Sequence, residues 1–341
     1  MPDFFTAVHD FLTDYLHTQK GFSENTIISY RQVLNLMISY LRTELKLPVK
    51  KIGFETFNRE LVLAFLDWLE VSRNCGATTR NHRLMVLRSF FDYAGVLDCT
   101  QVALSLEVNE VPVKKAQGRI VEYLSEKALE TLLAQPDQAK RKELRDLLFM
   151  MLMYDSAARC SEMLNLRVCD MRITKEHPTM YLLGKGNKPR IVPVMQRTVE
   201  HFKRYLGVFH SGANNKSDDF VFYTVIRGKC KPMSADAVAL FMSKYCGLAK
   251  AVCPEMPDKL HPHMLRHTRA MHLYRSGMPL HLLSQTLGHA SEESTRIYAY
   301  ADTEMKREAM AKADALRGGN PPPPAIWEDD EEMILTLAGL R

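Results

Sequence analysis

Four side chains between His261 and Tyr300 have types and spacings suited to attack on a phosphodiester: His263, Arg266, His289 and Tyr298. An arginine guanidinium is a fixed fork that binds two phosphate oxygens at once. Histidine holds or moves a proton near neutral pH. A tyrosine becomes a covalent nucleophile once its proton, ordinarily retained to about pH 10, is removed or shared in the transition state.

The local pattern says how these groups are carried. His263 and Arg266 are three residues apart and project from one face of a helix. Gly277 and Pro279 break that helix, and Leu280 to Leu287 forms the next short one. Gly288 ends it and places His289 at a turn. Ser291 is the expected N-cap of a final helix that carries Tyr298. Tyr300 competes as nucleophile, but two residues further round that helix it faces elsewhere.

At these positions the chain resembles the tyrosine recombinases, the phage integrase family, in a compact Xer-like form. The family signature is His-x-x-Arg, then Leu-Gly-His, then a tyrosine nine residues after that histidine. The strings PHMLRH and LGH supply His263, Arg266 and His289, and Tyr298 stands at the required distance. Upstream, Ser156 to Glu162 (SAARCSE) resembles the family's first arginine box, with Ala157 where a glycine is usual. The resemblance makes Arg159 a second phosphate clamp and Glu162 a residue that orients its neighbours. GKGNKPR (Gly184 to Arg190) resembles the family's hairpin, which implies Lys185 as the general acid and Lys188 and Arg190 as DNA backbone contacts. SENTIISY (Ser23 to Tyr30) is similar to the opening of the family's core-binding domain, half of a clamp around the duplex.

The resemblance implies cleavage and rejoining through a 3′-phosphotyrosine and a Holliday junction, on double-stranded DNA with inverted-repeat core sites. It further implies a homo-tetramer on DNA that is a monomer or weak dimer when free, and no cofactor. A relaxing topoisomerase of similar chemistry and a catalytically inactive DNA-binding factor are the alternatives. A filled set of catalytic positions argues against the second, and the domain order with the GKGNK hairpin against the first.

Composition agrees with this reading. The 341 residues allow two domains, and 46% apolar content is ordinary for a globular chain. Five acidic residues cluster between Glu328 and Glu332, leaving 44 basic against 35 acidic residues over 1–320, an excess that suits a polyanion. No apolar run reaches membrane-spanning length, no signal pattern opens the chain, and seven cysteines without a CxxC suggest a reducing cytosol rather than a disulfide framework. A cytoplasmic, nucleoid-associated protein is expected. His261, His263, His267 and His272 lie close together, but no carboxylate or cysteine completes a zinc-ligand spacing. No metal is therefore expected, and His267 is read as packing or hydrogen bonding.

The expected fold is mainly α in two domains. Residues 1–105 read as a helical core-binding domain, with caps at Ser23 to Asn25 and at Asn58. Its helix from about Ala77 carries Arg80, Asn81, Arg83 and Arg88 on faces away from the core, the candidate DNA contacts. Residues 106–122 read as a linker. Residues 123–317 read as a mixed α/β catalytic domain, mostly helical with a small antiparallel sheet, with strands near Met180 to Leu183, Arg190 to Val194 and Phe220 to Thr224. Beyond Asn320, a stiff Pro321 to Pro324 spacer leads to a tail over 318–341 with one apolar face, a candidate for docking on a neighbouring subunit.

Overall fold

Side-chain caps set where the helices begin. In the computed structural model, Asp3 accepts from Thr6 N at the start of α1 (Phe4–Asp10), Ser23 from Thr26 N at α2 (Glu24–Thr43), and Asn58 from Leu61 N at α3 (Arg59–Val71). Each satisfies an amide that has no intrahelical acceptor. The structure describes residues 3–116, 121–184, 188–211, 217–289, 291–301, 307, 310–311 and 331–337. The chain divides into two units, one ending at Arg119 and the other beginning at Ile120.

The N-terminal unit is helical. α1 runs on through a π-helical stretch to Gln19, and α4 (Ala77–Leu97) and α5 (Val102–Asn109) complete it. Phe11, Leu34, Phe65, Leu66, Leu87 and Phe91 are among its buried side chains. Two expectations are corrected here. The stretch from Leu106 does not open a linker: α5 runs to Asn109, and Val108 and Val111 are buried with the core. Arg80 does not face outward. It shares the α4 stripe of Leu84, Leu87, Phe91 and Ala94, is 1% exposed, and donates to the carbonyl of Pro112.

The other α4 candidates are also engaged internally. Asn81 donates to the carbonyl of Lys114, Arg83 to the sulfur of Cys75, and Arg88 to the carbonyls of Asn109 and Val111. Arg80, Asn81 and Arg88 therefore fasten residues 109–114 onto the unit, while Arg83 is tied to Cys75 ahead of the helix.

The second unit opens with α6 (Glu126–Leu133), capped by Ser125, followed by α7 (Arg141–Ser156) and α8 (Cys160–Leu164). A three-stranded antiparallel sheet follows in the order β1 (Met171–Arg172), β2 (Thr179–Leu183), β3 (Pro189–Pro193). Met180 pairs with Val192 and Leu182 with Arg190; Met180, Leu182 and Val192 are buried. After α9 (Gln196–Phe209), a hairpin of β4 (Tyr223–Ile226) and β5 (Lys229–Pro232) turns at Arg227 and Gly228, both with positive φ. The expected strand thus begins at Tyr223, while Val221 and Phe222 before it are buried in the core.

Then come α10 (Ala235–Val252), α11 (Pro262–Arg275), α12 (Leu280–Leu287) and α13 (Glu293–Ala301). α11 is the central element and packs against α7, α10, α12 and α13. A small apolar cluster of Ala157, Ala270, Met271, Leu283, Leu287 and Tyr298 joins α11, α12 and α13 to the end of α7. Among the described tail residues, Glu331–Leu337 form α14; the rest of 318–341 lies outside the described residues, so the docking expectation falls largely there. Among the described residues, no helix is long and apolar enough to cross a membrane.

Candidate active site

The site is assembled where α7, α11 and α12 end or begin. α7 stops because Ala157 takes a left-handed conformation, φ 48° and ψ 32°. That costs an alanine about 1–2 kcal/mol relative to glycine. The turn exposes the Ala157 carbonyl, which accepts from Nη1 of Arg266 at 2.7 Å. α12 stops at Gly288, φ 63° and ψ 44°, a conformation that glycine adopts freely. Just before it, the carbonyl of Leu287 accepts from Nη2 of Arg266, also at 2.7 Å. One buried guanidinium thus ties the turn before Arg159 to the turn before His289. The alanine in the first box leaves this geometry intact.

Arg159 opens α8. Its backbone N–H donates to Oε2 of Glu162 at 2.9 Å and its Nη1 to Oε1 at 2.8 Å, while Nη2 reaches the carbonyl of Gly288 at 3.3 Å. The side chain remains 27% exposed, so part of the fork is open to a ligand. Glu162 also receives Nη2 of Arg190 at 2.6 Å. Burial alone would raise the Glu162 carboxyl, but the bonds from Arg190 and from the Arg159 backbone outweigh it and hold the group below its usual range.

His263 follows Pro262, the first residue of α11, where a proline's missing N–H is harmless. The residue is exposed, and the burial its ring does have, followed by the Arg266 charge, keeps it below the ordinary histidine range. His289 hydrogen-bonds the Thr295 hydroxyl through Nδ1 at 2.8 Å. Burial first, and then Arg266 and Arg159, press it down to about 4. Both rings thus favour the neutral form beside the arginine charges, which leaves His263 able to accept a proton and suits His289 to a phosphate.

Tyr298 has no exposed surface, and its hydroxyl shares a 2.9 Å hydrogen bond with Nδ1 of His267. Burial raises the phenol to about 12, with Arg266 opposing. His267, not His263, is the partner of this hydroxyl. His267 is expected from sequence only to pack or hydrogen-bond; its place one residue after Arg266 and four after His263 on α11 is what brings it into the site. α13 begins at Glu293, two residues beyond the expected cap Ser291, whose carbonyl accepts from Ser294 N.

The other expected residues are distributed as follows. Lys188 is exposed, and its carbonyl accepts from Gly184 N at 2.9 Å. Arg190 is corrected: its side chain is only 9% exposed and is turned toward Glu162 rather than outward. Lys185 and the side chain of Tyr300 lie outside the described residues. The clustered histidines diverge, His272 bonding the Tyr154 hydroxyl and the Leu124 carbonyl while His267 bonds Tyr298.

The Phage integrase family matches residues 122–305, more than half of the chain, and the family's N-terminal SAM-like domain matches residues 9–95. The chain belongs to the phage integrase family. The putative integrase/recombinase y4rC of Sinorhizobium fredii is 30% identical over 98% of this chain and 97% of its own length. The tyrosine recombinase XerC of Actinobacillus pleuropneumoniae is 30% identical over 85% of this chain and 87% of its own. Among solved structures, XerH site-specific recombinase in a post-cleavage complex with palindromic difH substrate superposes with a TM-score of 0.63. That likeness covers 84% of this chain and 79% of XerH at 21% identity. A lambda integrase dimer bound to a COC′ core site gives 0.61 over 95% of this chain and 80% of that one, at 16% identity. These two structural likenesses concern the fold. They match the two-unit, mostly helical architecture with small antiparallel sheets.

Proposed function

We propose that this chain is a site-specific DNA recombinase that breaks and rejoins strands through an ester between Tyr298 and a DNA 3′ phosphate. The observation that carries the reading is the Arg266 guanidinium, which draws the turn before Arg159 and the turn before His289 together beside Tyr298.

In this scheme Arg159 and Arg266 bind the non-bridging oxygens of the scissile phosphate and offset charge in the transition state. His289 hydrogen-bonds the phosphate, and His263, its ring centroid 6.3 Å from that of the hydroxyl's partner His267, assists in removing the phenol proton. Tyr298 attacks phosphorus; the bond to the 5′ oxygen breaks, and Lys185 protonates that oxygen. The phosphotyrosine retains the ester bond, so a second strand's 5′ hydroxyl can reverse the step without ATP. Exchange proceeds strand pair by strand pair through a Holliday junction, in a tetramer on two inverted-repeat sites. The chain acts in the cytoplasm, where its DNA is.

The test is to incubate the full chain with sheared chromosomal DNA from its source, quench in denaturant, and sequence the DNA ends that remain attached to protein. The reading expects a recurrent site and no attached DNA with Tyr298→Phe. Attached DNA that persists in Tyr298→Phe, or none with the native chain, overturns it.

A further inference from the structure

Arg190 lies in β3 opposite Leu182, with a side chain too withdrawn to run along a DNA backbone. Its Nη2 donates to Oε2 of Glu162 at 2.6 Å. The same carboxylate takes both the backbone N–H and Nη1 of Arg159. Whatever moves Glu162 therefore moves Arg159. The remainder of the Arg190 guanidinium rests on glycine backbone. A Cβ at Gly288 would stand 3.1 Å from its Nη1 and 3.2 Å from its Cδ, and one at Gly184 3.5 Å from Nη1. Gly288 in turn offers its carbonyl to Arg159, and His289 follows it directly. Among the described residues, the buried Nε and Nη1 of Arg190 have no hydrogen-bond partner, and the one partner of its guanidinium is the carboxylate that holds Arg159.

The geometry points to Arg190 as a positioning residue of strand cleavage. Through Glu162 it sets where the Arg159 fork meets the scissile phosphate, and through its contact with Gly288 it sets the turn that carries His289. It does neither by touching DNA. This inference rests on the recombinase reading above.

The test compares Arg190→Met with the native chain on two duplexes built on the site recovered by the end-mapping experiment. One carries an ordinary scissile phosphate. In the other a methylphosphonate removes the negative charge that the two arginines offset. A misplacement of a reacting group by about 1 Å slows chemistry roughly 100-fold. Arg190→Met is therefore expected to slow covalent attachment about 100-fold on the phosphate and only a few-fold on the methylphosphonate. Its Kd for uncleaved duplex and the salt dependence of that Kd should be unchanged. An equal loss on both duplexes means a role in folding alone and overturns the inference. So does a weaker Kd whose salt slope is shallower by about one, the mark of a lost phosphate contact. If Arg190→Met does not fold, the same comparison on Arg190→Lys decides. A native chain that attaches to neither duplex removes the recombinase reading, and this inference with it.

Discussion

The hydroxyl of Tyr298, a side chain with no exposed surface, is bonded at 2.9 Å to Nδ1 of the half-buried His267. The nucleophile of the proposed reaction is therefore held neutral and buried. Removing either partner strands a buried polar group, which costs about 1–3 kcal/mol. Tyr298→Phe and His267→Ala should each lower the stability of the second unit by that order in urea denaturation. The double variant should lose less than the sum, with a coupling of about 1 kcal/mol. Strict additivity would mean that the bond does not form in solution.

Acid should weaken this unit through His267 and His289. Burial first, followed by His263 and Arg266 for His267 and by Arg266 and Arg159 for His289, lowers both to about 4 from an ordinary 6.5. The unfolded chain thus binds more protons than the folded one between those values. The stability contributed is complete above pH 6.5 and is lost as pH falls through about 4. Urea midpoints should decline over that window, and His267→Gln with His289→Gln should flatten the decline. An unchanged slope in the double variant would contradict the assignment.

Glu162 is a single carboxylate between two guanidiniums, with its side chain 4% exposed. Glu162→Ala leaves Arg190 buried without a counter-charge and frees the Arg159 fork. Breaking a buried pair from one side costs about 3–5 kcal/mol. We expect a destabilisation of that order, read from urea midpoints, together with loss of covalent attachment to DNA. Full attachment in a folded Glu162→Ala chain would contradict the geometry.

Arg80 should behave as a structural residue. Its guanidinium lies within the N-terminal unit, donating to the Pro112 carbonyl, with Glu70 3.8 Å away. Arg80→Ala should destabilise that unit by about 3 kcal/mol while leaving the salt slope of DNA binding unchanged. A slope reduced by about one would return Arg80 to the DNA surface.

These residues also show what the sequence revealed. The helix carrying His263 and Arg266, its successor ending at Gly288, and the placing of Tyr298 on a third were legible because helical spacing and glycine or proline punctuation are local signals. The hairpin of β2 and β3 was legible for the same reason. Arg80 was misread because its charge suggested solvent, although its spacing to Leu84, Leu87 and Phe91 put it on the core stripe. α5 was overlooked because VALSLEVN has apolar residues on several faces, and its contacts with α4 and α3, not its own pattern, make it a helix. The bond between Arg190 and Glu162 spans 28 residues and joins a strand to a helix, so no local spacing reports it. Beyond the expected strand ending at Thr224, the rest of β4 and all of β5 are exposed without alternation, which leaves the period-two signal silent there.

The most direct measurement identifies the amino acid that becomes attached to DNA. Trypsin cuts after Arg296 and Lys306, releasing one peptide that contains both Tyr298 and Tyr300. Fragmentation of that peptide from a nuclease-trimmed adduct should place the nucleotide on Tyr298 through its 3′ phosphate, with a free 5′ hydroxyl on the other DNA end. A nucleotide on Tyr300, on a serine or through a 5′ phosphate would contradict the account.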